Sequence, residues 1–174
     1  MGDITTDRLT LRPFTLDDAP ALFGLFSLPE VARWSGQGVA MTDVSEAVAR
    51  IERMPMRAGD HPATGLFAVV PHATGEVVGM ALLVPIPTSS GIERDDLEIG
   101  WHLHPDVWGS GYATEVAAAL IERAFAADVS ELYAVTNPDN VRSQAVCRRL
   151  GMTDLGLRSD WYDRELRAFR LDRP

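Results

Sequence analysis

The chain has 174 residues, 46% of them hydrophobic, with a formal charge of −9 and a single cysteine, Cys147. That length and apolar content suit one globular domain spanning residues 1–174 with a sizeable core, and a lone cysteine excludes an internal disulfide. No apolar run reaches the length of a membrane span or a signal-peptide core, so the expected setting is the cytoplasm with no membrane contact, and the acidic balance disfavours nucleic acid as a partner.

Leu9 and Leu11 alternate with Arg8, Thr10 and Arg12, as a half-buried strand does. Thr15-Leu-Asp-Asp18 reads as a cap feeding a helix with Ala19, Leu22, Phe23 and Phe26 on one face. Residues 31–40 contain glycine and are expected to be irregular. Asp43 and Glu46 stand at capping-box spacing, ahead of a helical stripe made by Val44, Ala47, Val48, Ile51 and Met54. Two apolar runs, 66–70 and 77–84, flank Pro71-His-Ala-Thr-Gly75, a hairpin signal. A loop rich in Pro, Ser and Gly leads to Glu93, Asp95 and Asp96, which suit either plain solvation or attraction of an ammonium group.

Next, Leu97, Ile99, Trp101 and Leu103 alternate with Glu98, Gly100, His102 and His104, predicting a strand. After a glycine-bearing turn, Val116, Ala117, Leu120, Ile121, Ala124 and Phe125 recur at helical spacing. A short strand at 132–135 and a helix at 141–150, stopped by Gly151, follow. Residues 155–171 suit a terminal strand pair around Trp161-Tyr-Asp163. Strands clustered early and late exclude a regular alternation of strand and helix, so the class is α+β.

The turn between the strand 97–103 and the helix 114–127 reads His104-Pro-Asp-Val-Trp-Gly-Ser-Gly-Tyr-Ala-Thr-Glu115. Glycines there let the backbone present successive N–H groups to an anion at a helix N-terminus. No Lys follows the second glycine, which excludes a P-loop, and Ala113 and Thr114 close the pattern without a third glycine. What remains is a cradle made mainly of main chain, better matched to a coenzyme A thioester than to a nucleoside triphosphate. The plainer reading is a tight link from strand to helix.

Trp108-Gly-Ser-Gly111-Tyr-Ala113 resembles the Arg/Gln-x-x-Gly-x-Gly/Ala motif of the GNAT superfamily of acyl-CoA-dependent N-acetyltransferases. Asn140, Ser143, Leu150, Gly151 and Met152 match that family's later motif. Thr6-Asp-Arg-Leu-Thr-Leu-Arg-Pro13 is similar to the opening strand of the branch that includes ribosomal-protein N-terminal acetyltransferases. The resemblance implies a GNAT fold, a central mixed and mostly antiparallel sheet flanked by helices. It also implies acetyl transfer from acetyl-CoA, with no metal, to a primary amine by direct attack. The acceptor stays open between a protein N-terminus and a small amine. So do a non-catalytic acyl-CoA sensor, a longer acyl thioester and a homodimer paired through a strand edge.

The resemblance also assigns roles. Coenzyme contacts fall to Gly109, Ser110, Gly111, Tyr112, Ala113 and Thr114, with Leu103, His104 and Pro105 pairing with the pantetheine arm. Trp108 stands where the family has Arg or Gln, and so loses a side-chain donor. Asn140 is assigned to the pantetheine arm or, more plainly, to capping the helix after it. Glu98 is the first choice for the base that frees the amine of its proton, ahead of His102 and of water. The family's thiolate-protonating Tyr is replaced by Cys147, which reads as a small buried hydrophobe, so Ser143 or solvent takes that part. Trp34, Trp161 and Tyr162 lie in expected loops, where large aromatics mark either a pocket or a core edge, and Glu98 joins them as a substrate contact.

Overall fold

The computed structural model describes residues 2–36 and 38–174. Four strands, β1 (Ile4–Thr5), β2 (Leu9–Pro13), β3 (Gly65–Pro71) and β4 (Gly79–Pro85), run antiparallel and lead into β5 (Leu97–Leu103). Their register explains why they stack in this order. Leu11 lies opposite Val69, Phe67 opposite Ala81, and Leu83 opposite Ile99, so apolar positions share one face. Helix α4 (Tyr112–Ala126) covers that face with Val116, Ala117, Leu120 and Ala124, all fully buried. The opposite face of β3 and β4, with Leu66, Met80 and Val84, packs beneath α1 (Ala19–Phe26) and α3 (Val44–Ala58). Covered on both sides, β3 and β4 carry near-continuous apolar runs, as doubly buried strands do.

The same burial changes the reading of β5. Glu98 and His102 alternate with the core residues, yet they sit beneath the α1–α3 layer and not on an open face: Glu98 is only 9% exposed and the half-buried His102 ring meets Phe26 at 5.2 Å. Helix α4 then acts as a crossover, and β6 (Glu131–Thr136) joins β5 in parallel. Helix α5 (Val141–Arg149) follows, and β7 (Thr153–Arg158) and β8 (Leu166–Asp172) close the eight-stranded order β1-β2-β3-β4-β5-β6-β8-β7. This is the mixed α+β sheet the sequence predicts. Among the described residues no helix is long and apolar enough to cross a membrane.

One detail of that sheet creates the site. β5 and β6 share a single registered pair, Glu98 opposite Tyr133. Beyond it the two strands splay apart, and the gap between them is a cleft.

Two expectations need correction. The segment 31–40 is not irregular throughout, since Pro29 starts a short helix, α2 (Pro29–Ala32), that buries Val31 and Ala32. Trp161 is not a pocket residue. It is 1% exposed, tilted against Tyr133 at 5.0 Å, and donates its indole N–H to Asp96 at 2.8 Å. A loop position read from sequence does not reveal that a non-local carboxylate draws the indole inward.

Candidate active site

The glycine turn adopts the conformation its sequence demands. Gly109 has φ +80° and Gly111 φ +89°, values that L side chains rarely adopt, and Gly111 caps α4 with no side-chain bond. The N–H groups of Gly109, Gly111, Tyr112 and Ala113 have no hydrogen-bond partner among the described residues. Four free donors at the positive end of a fifteen-residue helix form an anion cradle. Arg8 fixes it from β2's side: its guanidinium donates to the Ser110 carbonyl at 2.9 Å and pairs with Glu115 at 2.6 Å. A Cβ on Gly111 would stand 3.3 Å from Arg8 Nη2.

The cleft behind the cradle has a volume of about 920 Å³ and runs between the splayed strands to Glu98. On its β6 wall, Thr136 Oγ1 is buried with no hydrogen-bond partner among the described residues, an arrangement that favours a polar ligand. Asn140 caps α5, its Oδ1 accepting from the Ser143 N–H at 3.2 Å, and both residues line the cleft. Buried Gln144 ties the approach to α5 by donating to the Pro138 carbonyl at 2.8 Å.

At the inner end a second cleft, of about 1340 Å³, opens toward α3 and the β7–β8 turn. The two clefts share Trp34, Leu82, Glu98, His102, Val135 and Asn137. Among the described residues Glu98 is the only carboxylate at this junction. The Tyr162 hydroxyl donates to its Oε2, and Arg57 Nη2 lies 3.8 Å from the same oxygen and donates to the Tyr162 hydroxyl at 3.1 Å. Burial pushes the Glu98 carboxyl up to about 7, against the opposing pull of Tyr162 and Arg57. The Tyr162 hydroxyl is raised in turn by burial and by the Glu98 charge.

Tyr162 reaches Glu98 through an uncommon backbone: Tyr162 has φ +61° and Asp163 φ +50°. The turn is held there because the Tyr162 N–H donates to the Pro87 carbonyl, Asp163 N–H to Ser89 Oγ, and Ser90 N–H to Asp163 Oδ1. Neighbouring Trp161 anchors it to Asp96, which Arg94 also grips.

The comparisons with known proteins fall on this architecture. An Acetyltransferase (GNAT) domain model matches residues 8–153. This chain belongs to the GNAT acetyltransferases. As a GNAT member it is an acetyl-CoA-dependent N-acyltransferase. It is similar to the uncharacterized N-acetyltransferase p20 of Bacillus licheniformis, 30% identical over 162 residues, covering 92% of this chain and 88% of that protein. A solved acetyltransferase from Agrobacterium tumefaciens aligns with TM-score 0.78 at 26% identity over 99% of this chain and 95% of its own. The ribosomal-protein alpha-N-acetyltransferase RimL, solved with coenzyme A, has the same fold at TM-score 0.78 and 17% identity, over 98% of each chain.

The structure brings Trp108, Gly109, Gly111, Tyr112, Ala113, Thr114, Asn140 and Ser143 of this GNAT enzyme to the first cleft, with Leu103 at its edge. It leaves His104, Pro105 and Ser110 off the cleft wall. Their polar groups are occupied: the His104 N–H donates to Val78, the Pro105 carbonyl accepts from Trp108, and the Ser110 hydroxyl donates to Val107. The Leu103 carbonyl accepts the Trp108 indole N–H at 2.8 Å. An extended ligand must therefore find its strand partners higher on β5, toward Glu98. His102, second choice for the base, is half-buried, and desolvation together with the nearby Arg50 charge pushes its imidazole down to about 3, so it takes up no proton near neutral pH. Cys147 is fully buried and its thiol is pushed up to about 12. Arg8, Arg57, Thr136 and Gln144 were missed, and only Arg8, inside the recognised opening motif, carried a local signal.

Proposed function

We propose that this GNAT enzyme transfers an acetyl group from acetyl-CoA to a primary amine by direct attack, with Glu98 as the base. The observation that carries the reading is Glu98's place at the meeting point of two clefts, with a carboxyl pushed up to about 7. A base of that strength is half ionised near neutral pH and still strong enough to accept a proton from an incoming amine.

The free N–H groups of Gly109, Gly111, Tyr112 and Ala113 fit a pyrophosphate, and orphaned Thr136 Oγ1 fits an amide of an extended arm. When bound, acetyl-CoA supplies an activated acyl carbonyl and a good thiolate leaving group. The rest falls to the chain's own side chains. Tyr162 occupies Oε2 of Glu98 and so leaves Oε1 to the amine, fixing which oxygen takes the proton. Arg57, a fixed cation beside Glu98, disfavours a second cation there and so favours the amine in its neutral, nucleophilic form. Direct attack fits because the residues shared by the two clefts include no Cys or Ser, and the chain's one thiol is inert in the core. Ser143, on the coenzyme cleft, is the side chain assigned to protonating the thiolate.

The test is release of free coenzyme A from acetyl-CoA, followed with a thiol reagent across peptides, amino acids, polyamines and aminoglycosides, with Glu98→Gln alongside. Amine-dependent release that falls at least tenfold in the variant supports the reading. Equal turnover by the variant removes Glu98 from the role of base.

A further inference from the structure

All sixteen basic residues of the chain are arginines, and nine of them pair with a carboxylate within ion-pair distance. Among the described residues the seven without such a partner are Arg33, Arg50, Arg53, Arg123, Arg142, Arg149 and Arg164. They are not scattered. Arg33, Arg142 and Arg149 line the coenzyme cleft, and Arg50, Arg53 and Arg164 line the second one. Arg123 alone lies elsewhere, its guanidinium spent on the carbonyls of Ala63 and Pro62. A protein of net charge −9 has thus gathered its uncompensated positive charge at the site.

In the second cleft the arrangement is specific. Arg50, Arg53 and Arg57 occur at i, i+3 and i+7 of α3, one face of that helix, and all three line the cleft. Arg50 stacks over Phe26 at 3.9 Å, and among the described residues its only polar partner is Ser35 Oγ at 3.5 Å. Its guanidinium is pulled down to about 10 by burial, the mark of a cation desolvated without compensation. Arg164 reaches in from the β7–β8 turn, held by the Gly36 carbonyl at 2.7 Å. The lining carboxylates are Glu98 and Glu46, and Glu46 is already committed to the backbone at Thr42 and Asp43.

We infer that the acceptor is an amine that also carries an anionic group, a carboxylate or a phosphate, bound by Arg50 and Arg53 while its nitrogen lies at Glu98. This rests on the acetyl-transfer reading above and names its substrate class. Arg57 marks the Glu98 end, and Arg50 lies seven residues back along α3, about 10 Å of helix rise. The long, flexible arginine side chains close part of that distance, and a compact acceptor such as an acidic amino acid, a short acidic peptide or a phosphorylated amine bridges the remainder. The overall negative charge does not oppose it, because at physiological salt surface charges are screened beyond about 8 Å while the cleft arginines act at contact. Guanidinium forks also match both oxyanions in geometry. Polyamines and aminoglycosides are disfavoured by the same charges.

The test compares matched amines in steady state: a dicarboxylic amino acid against its side-chain amide, and a phosphorylated aminoalcohol against its parent. The acidic member of one pair is expected to have the higher kcat/KM, and which pair shows it separates carboxylate from phosphate. In Arg53→Gln, an exposed position with no hydrogen bond or ion pair among the described residues, the acid-to-neutral ratio falls about tenfold. In Arg173→Gln, which removes an equal charge far from the cleft, the ratio is unchanged. Neutral or cationic amines turning over as well as acidic ones, with no change in Arg53→Gln, overturns the inference and leaves acetyl transfer standing. If no amine turns over, calorimetry of the same acids on the enzyme–coenzyme A complex decides. Binding lost in Arg53→Gln upholds the pocket and fails only the chemistry, and no binding fails the inference.

Discussion

Glu98→Gln tests the burial of the proposed proton acceptor without any substrate, through stability. The carboxyl moves from 4.5 to about 7 on folding, mainly because burial penalises its charged form. A folded-state pKa above the unfolded one means that the folded chain holds the proton more tightly, so stability is greatest at low pH and falls as pH rises through about 7. The shift of about 2.5 units corresponds to roughly 3 kcal/mol once both states are ionised. Of this, about 2.5 kcal/mol is lost between pH 5 and pH 8.5, because unfolded Glu98 is already largely ionised at the lower value. Glutamine carries no such penalty and can still accept from Tyr162. Urea unfolding of both proteins at the two pH values should therefore show the variant gaining about 2.5 kcal/mol on the wild type, or roughly 5–10 °C in Tm for a chain of this size. A gain that does not change with pH would refute the argument, since Glu98 would then ionise as readily folded as unfolded.

Tyr162→Phe removes a hydrogen bond that favours ionised Glu98, so the acid limb of the kcat/KM profile should move up by about one pH unit. Gly111→Asp puts a Cβ at φ +89° and a carboxylate in the anion cradle, and isothermal calorimetry should find acetyl-CoA binding abolished. Cys147→Ala should leave turnover unchanged and lower unfolding stability by about 1 kcal/mol, since the thiol only fills core space. A loss of activity there, with the fold intact, would bring back covalent chemistry.

What the sequence disclosed was what short-range chemistry controls. The Asp43–Glu46 capping box forms as its spacing demands, with Asp43 Oδ1 accepting from Ser45 at 2.8 Å and Glu46 accepting from the Asp43 N–H at 3.1 Å. The glycine turn owes its shape to the positive φ of its own two glycines, with Arg8 bracing it from a distance, so those glycines reported it directly. What stayed hidden was long-range. Tyr162 and Glu98 lie 64 residues apart, and Tyr162 and Arg57 are 105 apart, so no local pattern announces that they meet. Alternation in β5 showed that Glu98 and His102 share a face but not that two helices cover it. Trp161 and Tyr162, adjacent and both aromatic, were given one role. The left-handed backbone at Tyr162 sends it to the cleft while Trp161 turns inward to Asp96.

The split between β5 and β6 bears on the protein's behaviour in bulk solution. The sheet's outer rims are blunted, β1 by being two residues long and β7 by a bulge between Asp154 and Gly156. Its unspent capacity for strand pairing lies indoors, along the facing rims of β5 and β6 beyond Glu98 and Tyr133. Only a slender, extended molecule can enter there and act as the absent ninth strand. Filling the cleft would then complete the sheet, and at a hundredfold excess over Kd it adds about 2.7 kcal/mol to stability. Ligand supply would thus raise the protein's resistance to unfolding, independently of any turnover.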